Sequence, residues 1–119
     1  MTGHIIIINL DTGFTLANAA VRAASFFKRL QGLLGKKGML QGEALVLTPC
    51  SAVHCIGMRF VIDVVFLDRS GRVVHTIESM KPGSIGPVIK NAWCAIELPE
   101  GQIERSKTRL GDTLRIWDR

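Results

Sequence analysis

The stretch IDVVFLDRSGRVVHTIE, residues 62–78, decides the fold class of this chain. Residues 62–67 form an apolar run of strand length that only Asp63 interrupts. Residues 68–71 contain Asp, Ser and Gly, which favour a tight turn, and residues 72–78 return with a second strand-like pattern. The stretch therefore predicts a β-hairpin.

Strand signals continue on both sides of this hairpin. Short apolar or β-branched runs predict further strands at residues 4–9, 14–21, 44–47, 92–98 and 113–117. Glycine, proline and aspartate mark the turns between them. Seven or eight short strands are typical of a mainly β (α+β) architecture, either a small barrel or a strongly curled antiparallel or mixed sheet.

One segment has a helical period instead. Between Ser25 and Gly35 the apolar residues recur at helical spacing, while Ser25 can cap the start and Gly35 can end the helix. A helix of about ten residues is not stable alone, so it must pack against the rest of the fold. We therefore expect one short packing helix that closes one end of the sheet.

Length and composition limit the possible classes of protein. With 119 residues, the chain predicts a single domain over residues 1–119, and its 47% hydrophobic and 21% charged residues exclude wholesale disorder. The net charge of +5 is spread over the helix end and a late basic loop, so it indicates no particular partner. Aromatic residues are only 6% and Tyr is absent, which disfavours a base-stacking surface; nucleic-acid binding is not expected.

The chain start and the cysteines indicate a compartment. No apolar run approaches the length of about 18 residues that a membrane helix needs, and residues 1–10 lack the features of a secretory signal. We therefore expect no membrane span and, by default, a cytoplasmic protein. Cys50, Cys55 and Cys94 are an odd number of cysteines, which argues against a disulfide framework.

Residues 50–63, CSAVHCIGMRFVID, concentrate the reactive side chains. Cys50, His54 and Cys55 are possible zinc ligands, but the paired Cys-x-x-Cys spacing of zinc sites is absent, so no metal and no cofactor are predicted. Cys50 or Cys55 beside His54 could also form a thiolate–imidazole pair. Cysteine is among the most often buried residue types, so simple packing is the competing interpretation.

Arg59 and Asp63 form the second feature of this segment. Asp63 lies in an apolar run, where a carboxylate is costly unless it is paired or hydrogen-bonded, and Arg59 is the nearest candidate partner. One interpretation is a structural ion pair between loop and strand. The other is that Arg59 and His54 face a cleft that binds an anion.

Four motifs resemble the domain-of-unknown-function 192 family of small bacterial and archaeal proteins. They are RLQGLLG at residues 29–35, ALVLTPC at 44–50 followed by Val53 and His54, MRFVIDVVFLD at 58–68, and AIELPEG at 95–101 followed by Gly111 and Asp112. The family-like core covers residues 22–117. The resemblance implies a mainly β, barrel-like fold with a small helical element and no established activity. It also allows an envelope location if a leader was removed.

The resemblance adds two groups of residues to the prediction. Gly32, Cys50, Met58, Gly111 and Asp112 match its motifs and are expected to be structural. The polar residues expected to converge on a binding cleft are His54, Arg59, Asp63 and Glu97.

Two functions follow. The favoured one is a non-enzymatic ligand-binding or accessory domain, with an unknown small ligand or protein partner held in that cleft or at an exposed sheet edge. The alternative is a small hydrolase or metal-dependent enzyme that uses His54 with Cys50 or Asp63, and Arg59 to stabilise a developing anion.

Overall fold

A computed structural model describes residues 3–23 and 37–118. This part of the chain forms seven strands and one short helix: β1 Ile5–Asn9, β2 Thr15–Ala23, β3 Glu43–Leu47, β4 Ile62–Leu67, β5 Val73–Met80, β6 Cys94–Pro99, α1 Gln102–Arg105 and β7 Leu114–Asp118. The hairpin predicted at residues 62–78 is present as β4 and β5. The helix predicted between Ser25 and Gly35, with Gly32, lies outside the described residues.

The strands form one mixed sheet. Their order is β5-β4-β6-β3-β2-β1-β7. The β2–β3 pair is parallel and the other neighbours are antiparallel. The sheet curls strongly into a half-barrel, which confirms the predicted fold class.

The two edge strands meet at one point. The backbone N–H of Val73 donates to the carbonyl of Asp112 at 2.8 Å, and the N–H of Gly111 donates to the carbonyl of Val73 at 2.9 Å. Leu114 N–H donates to the Gly71 carbonyl at 2.8 Å. These bonds bring the start of β5 against the start of β7, so the sheet curls around an interior.

The sheet separates two apolar clusters. Every residue of β4 and of β6 is buried, so both faces of these central strands are covered. The interior core receives side chains from all seven strands, among them Val65, Ile96 and Leu114. The outer core receives the alternate side chains, among them Val64 and Ala95. Alternation along each strand therefore sends successive side chains to different cores.

The short helix α1 closes one end of the interior. Its residue Ile103 is buried in the interior core, directly after the end of β6. A single turn of four residues is too short to show a helical period, which is why the sequence pattern did not predict it.

Glycine at position 71 is required by the closure of the sheet. Gly71 has a φ of +87°, and a Cβ there would lie 2.8 Å from the Leu114 carbonyl oxygen. Gly83 has nearly the same φ, +82°, but a Cβ there would meet no other atom within 4 Å. Both alanine substitutions therefore force the same backbone strain, of about 1 kcal/mol. Gly71→Ala adds a clash with the backbone of β7.

We expect Gly71→Ala to lower the free energy of unfolding by at least about 1 kcal/mol more than Gly83→Ala does, since the strands must separate to admit the methyl group. Urea denaturation followed by circular dichroism measures both. Equal losses in the two variants would contradict the closure role of this contact.

Candidate functional site

Asp63 is a buried structural carboxylate. It is 1% exposed. Its Oδ1 accepts a hydrogen bond from the Ser79 N–H at 2.9 Å, and its Oδ2 accepts one from the Ile103 N–H at 3.0 Å. Ser79 has a φ of +55°, so one of these bonds holds a residue in a backbone conformation that serine rarely adopts. Asp63 thus anchors the end of β5 and the helix α1 to β4.

Of the two interpretations of Arg59 and Asp63, the structural ion pair is wrong. Arg59 is exposed. Both carboxylate oxygens of Asp63 accept hydrogen bonds from backbone N–H groups, and no ion pair joins it to Arg59. The buried carboxylate of Asp63 is stabilised by backbone amides instead of a guanidinium, which satisfies a charged group without burying a second charge.

Glu97 lies on the other side of the sheet from Asp63. In the antiparallel β4–β6 pair, Asp63 is opposite Leu98, and Val64 is opposite Glu97. Leu98 belongs to the interior core, whereas Val64 belongs to the outer core. Because side chains alternate between faces, Asp63 points to the interior and the fully buried Glu97 points to the outer core. The structure does not bring these two carboxylates together.

His54 lies on a loop that packs over the outer core. It forms an isolated antiparallel bridge with Ile85, and its Nδ1 accepts a hydrogen bond from the Ile56 N–H at 3.3 Å. The flanking residues Val53 and Cys55 are buried in the outer core. His54 is therefore on the same side of the sheet as Glu97, apart from Asp63. A binding role for His54, Arg59, Asp63 and Glu97 stays a prediction.

No metal cluster or disulfide is present in the described part of the chain. Residues 3–23 and 37–118 gather no group of three or more His, Cys, Asp or Glu side chains that could hold a metal ion. The three cysteines are not cross-linked. Within the same ranges, no helix has the length and apolar character needed to cross a membrane.

A depression of about 430 Å³ opens beside the hairpin turn at residues 68–71, and we call it the mouth. It lies where β7 separates from the hairpin turn at residues 68–71. Its lining comprises Leu10, Arg22, Thr48, Leu67, Asp68, Arg69, Ser70, Gly71, Trp93, Cys94, Thr113, Leu114, Arg115 and Ile116. Three arginines and one aspartate give this lining a formal charge of +2.

The arginines of the mouth are held by different neighbours. Arg69 stacks on the ring of Trp93, with its guanidinium carbon 3.8 Å from the ring centroid. Arg115 lies 5.9 Å from the ring centroid of Trp117. Arg22 Nη2 lies 3.5 Å from Asp118 Oδ2, and these two side chains are 49% and 64% exposed. Stacking on Trp93 orients the Arg69 guanidinium without neutralising its charge, whereas Arg115 is at the outer limit of a cation–π contact.

The one carboxylate in the lining is directed to its own turn. Asp68 Oδ1 accepts hydrogen bonds from the Ser70 hydroxyl at 2.7 Å, the Ser70 N–H at 2.9 Å and the Arg72 N–H at 3.0 Å. These bonds, chiefly the one from the Ser70 hydroxyl, lower the pKa of Asp68 below its ordinary value. Asp68 therefore fixes the turn that carries Arg69 and stays ionised at neutral pH.

A second depression of about 500 Å³ adjoins the mouth. The two share Asp68, Arg69, Ser70 and Trp93, so the Arg69–Trp93 stack borders both. Asn91 and Ala92 complete the second depression.

Cys94 lies at the base of the mouth as a buried thiol. It is 4% exposed, and burial raises the pKa of this thiol above its ordinary value. A raised pKa keeps the sulfur protonated at neutral pH, and a protonated thiol is a poor nucleophile and a poor metal ligand.

The sequence of the chain matches a family model over residues 7–116: DUF192, described as Uncharacterized ACR. The chain belongs to the DUF192 family. The predicted resemblance is thereby confirmed, for a family without an assigned activity. Among curated proteins, no sequence matches this chain.

Two solved structures have the same fold as this DUF192 protein. One is a protein of unknown function from Novosphingobium aromaticivorans, with a TM-score of 0.78 and 15% identity over 95% of this chain and 83% of that one. The other is a candidate transcription regulator from Sinorhizobium meliloti, with a TM-score of 0.74 and 21% identity over 93% of this chain and 90% of that one. At these identities the similarity supports the fold alone.

The DUF192 motif residues that the structure describes lie in a turn, in a hydrogen-bond cluster or at the outer core. Gly111 has a φ of +89° in a turn, where glycine is the favoured residue. Asp112 Oδ2 accepts hydrogen bonds from Asn9 Nδ2 at 3.0 Å and from the Arg109 N–H at 2.9 Å. Met58 is buried in the outer core, and Cys50 packs against that core.

Sequence reasoning missed two groups of residues. The first is the fully buried Asn9, whose side chain also bonds Thr108 Oγ1 at 3.1 Å. The second is the set Arg22, Arg69 and Arg115, which only the curled sheet brings around one depression. The sequence contained a signal for Asn9, a polar residue at the end of an apolar run. It contained no signal that Arg22, Arg69 and Arg115 would line one depression.

Replacing Asp63 with asparagine tests its anchoring role. Asn offers one acceptor oxygen where two backbone N–H groups converge, so one buried donor loses its partner. We expect Asp63→Asn to lower the free energy of unfolding by about 2 kcal/mol or more. The matched control is Asp68→Asn, at an exposed turn where water can replace lost hydrogen bonds, and its loss should be much smaller. Denaturant unfolding measures both, and similar losses would refute a special role for Asp63.

Thiol reactivity tests the environments of the cysteines. With a chromogenic disulfide reagent at neutral pH, we expect Cys50, which is only partly buried, to react well before Cys55 and Cys94 in the native protein. The variant Cys50→Ser should lose the fast reaction, and denaturant should expose every remaining thiol. Fast modification of Cys94 in the native protein would contradict its buried, protonated state.

Proposed function

We propose that this chain is a non-enzymatic binding domain, and that its mouth holds a small ligand through an anionic group. The observation that supports this proposal is that three arginines, Arg22, Arg69 and Arg115, line one depression beside the hairpin turn at residues 68–71. Guanidinium groups bind carboxylates and phosphates through paired, charge-assisted hydrogen bonds.

The form of the mouth also supports ligand binding. A volume of about 430 Å³ is within the range of small-molecule sites, which often occupy the open ends of β-barrels. The hydroxyl-bearing residues Thr48, Ser70 and Thr113 line the same depression and offer further hydrogen-bonding groups. The backbone around Arg69 is fixed by the Asp68 turn, so the site is preorganised.

The contacts of the other candidate residues support binding over hydrolysis. Asp63 uses both carboxylate oxygens on backbone amides and lies across the sheet from the His54 loop. A hydrolase that pairs His54 with Asp63 would need that carboxylate to face the imidazole.

Anion binding by the mouth is tested with inorganic phosphate and citrate as probes. Trp93 stacks under Arg69, so its fluorescence should change as either anion binds. We expect Arg69→Gln to weaken citrate binding by about tenfold or more, because it removes a charge-assisted contact. Affinity should also fall as ionic strength rises.

The matched control is Arg109→Gln, which removes an exposed arginine outside the mouth. It should leave citrate affinity unchanged at fixed ionic strength. Equal losses in the two variants would show that only net charge matters, and would refute the mouth as the site. Ester hydrolysis that His54→Gln abolishes would instead establish the enzymatic alternative.

A further inference from the structure

We infer that the ligand of the mouth is an amphiphilic organic anion: a carboxylate or phosphate head joined to a short apolar body. This inference rests on the proposed function and adds the second half of the ligand. It follows from the way in which charged and apolar residues divide the lining of the mouth.

The base and one wall of the mouth are apolar. Leu67 and Leu114, from the interior core, line the base together with the Cys94 thiol, and Ile116 packs against the same core. At the rim, Leu10 is 57% exposed. Leu67, Leu114 and Cys94 are already buried, so the apolar surface that a ligand could still cover belongs to Leu10 and the partly buried Ile116. A purely ionic ligand would leave that surface in water, whereas an apolar body that covers it gains free energy from the buried area.

The head group has a separate place among the arginines. The face of the Arg69 guanidinium is covered by Trp93, so its N–H donors, which lie in the guanidinium plane, remain directed sideways. An oxyanion fits that edge, since carboxylates and phosphates accept parallel hydrogen bonds in the guanidinium plane. Arg22 and Arg115 line the same depression and add longer-range positive charge. Arg115 lies on the face of β7 opposite Leu114 and Ile116, and Arg22 also contacts Asp118.

A cationic or an uncharged apolar ligand does not fit these residues. A cationic amphiphile would meet a lining with a formal charge of +2, in which the single carboxylate, Asp68, already accepts three hydrogen bonds at Oδ1 from its own turn. A neutral apolar compound would cover Leu10 and Ile116 but displace water from three arginines without replacing its hydrogen bonds.

Five probes separate the contributions of head and body. Octyl phosphate and octanoate carry both parts, inorganic phosphate and acetate carry only a head, and octanol carries only the apolar body. All are used below the concentrations at which they aggregate. Titration of ¹⁵N-labelled protein gives each affinity, and the amide shifts locate the site. We expect octyl phosphate to bind at least about tenfold more tightly than inorganic phosphate, the gain from burying about two methylene groups.

Two exposed positions provide matched variants. Leu10→Ser should weaken the binding of octyl phosphate and leave that of inorganic phosphate unchanged. Leu110→Ser changes a residue that is 65% exposed and does not line the mouth, so it should alter neither. Arg69→Gln should weaken both phosphates.

The outcomes separate this inference from the proposed function. If inorganic phosphate binds at the mouth as tightly as octyl phosphate, the proposed function stands and the amphiphile is refuted. If octanol matches octanoate, the anionic head is irrelevant and both proposals fail. Both also fail if no probe binds or if the shifts map to the His54 loop. The ratio of octyl phosphate to octanoate affinity identifies which oxyanion the arginines prefer.

Discussion

The backbone contact between residues 71–73 and residues 111–114 is the constraint on which the rest of the structure depends. It joins the starts of β5 and β7, the two outer strands, so that one sheet can enclose a core on its inner face. Without it, the interior side chains of β1 and β7 would face water. Because the contact ends at Leu114, β7 then separates from the hairpin turn. The same contact that closes the barrel wall therefore leaves the mouth open beside it.

Burial of the central strands on both faces explains the roles of the polar residues. A carboxylate in β4 or β6 cannot reach solvent from either face, so it must find a partner inside the protein. Asp63 meets two backbone amides from segments that follow β4 in the chain, Ser79 and Ile103. Asp63, which the sequence suggested as a binding residue, therefore holds the end of β5 and the helix α1 against β4.

The strands and turns could be predicted because their signals are local. The apolar run of β4 and the turn after it are adjacent in sequence, and the structure contains both. The relation between Asp63 and Glu97 could not be predicted in this way. Alternation reveals which face a side chain takes only when one face is polar, and here both faces are apolar. The arginines of the mouth lie on three separate segments, and only the tertiary fold relates them.

The buried carboxylate of Asp63 has a consequence for strand alignment. In a sheet with one solvent-exposed face, shifting a strand by one residue against its neighbour is unfavourable, because the shift exposes the apolar side chains to water. Both faces of β4 are buried, so the burial of apolar side chains gives similar free energies for two alignments with β6 that differ by one residue. A slip of β4 by one residue would turn Asp63 toward the outer core and put Ile62 or Val64 opposite the Ile103 amide, which would lose its acceptor. Asp63 thus makes one alignment of the central strands lower in free energy than the others.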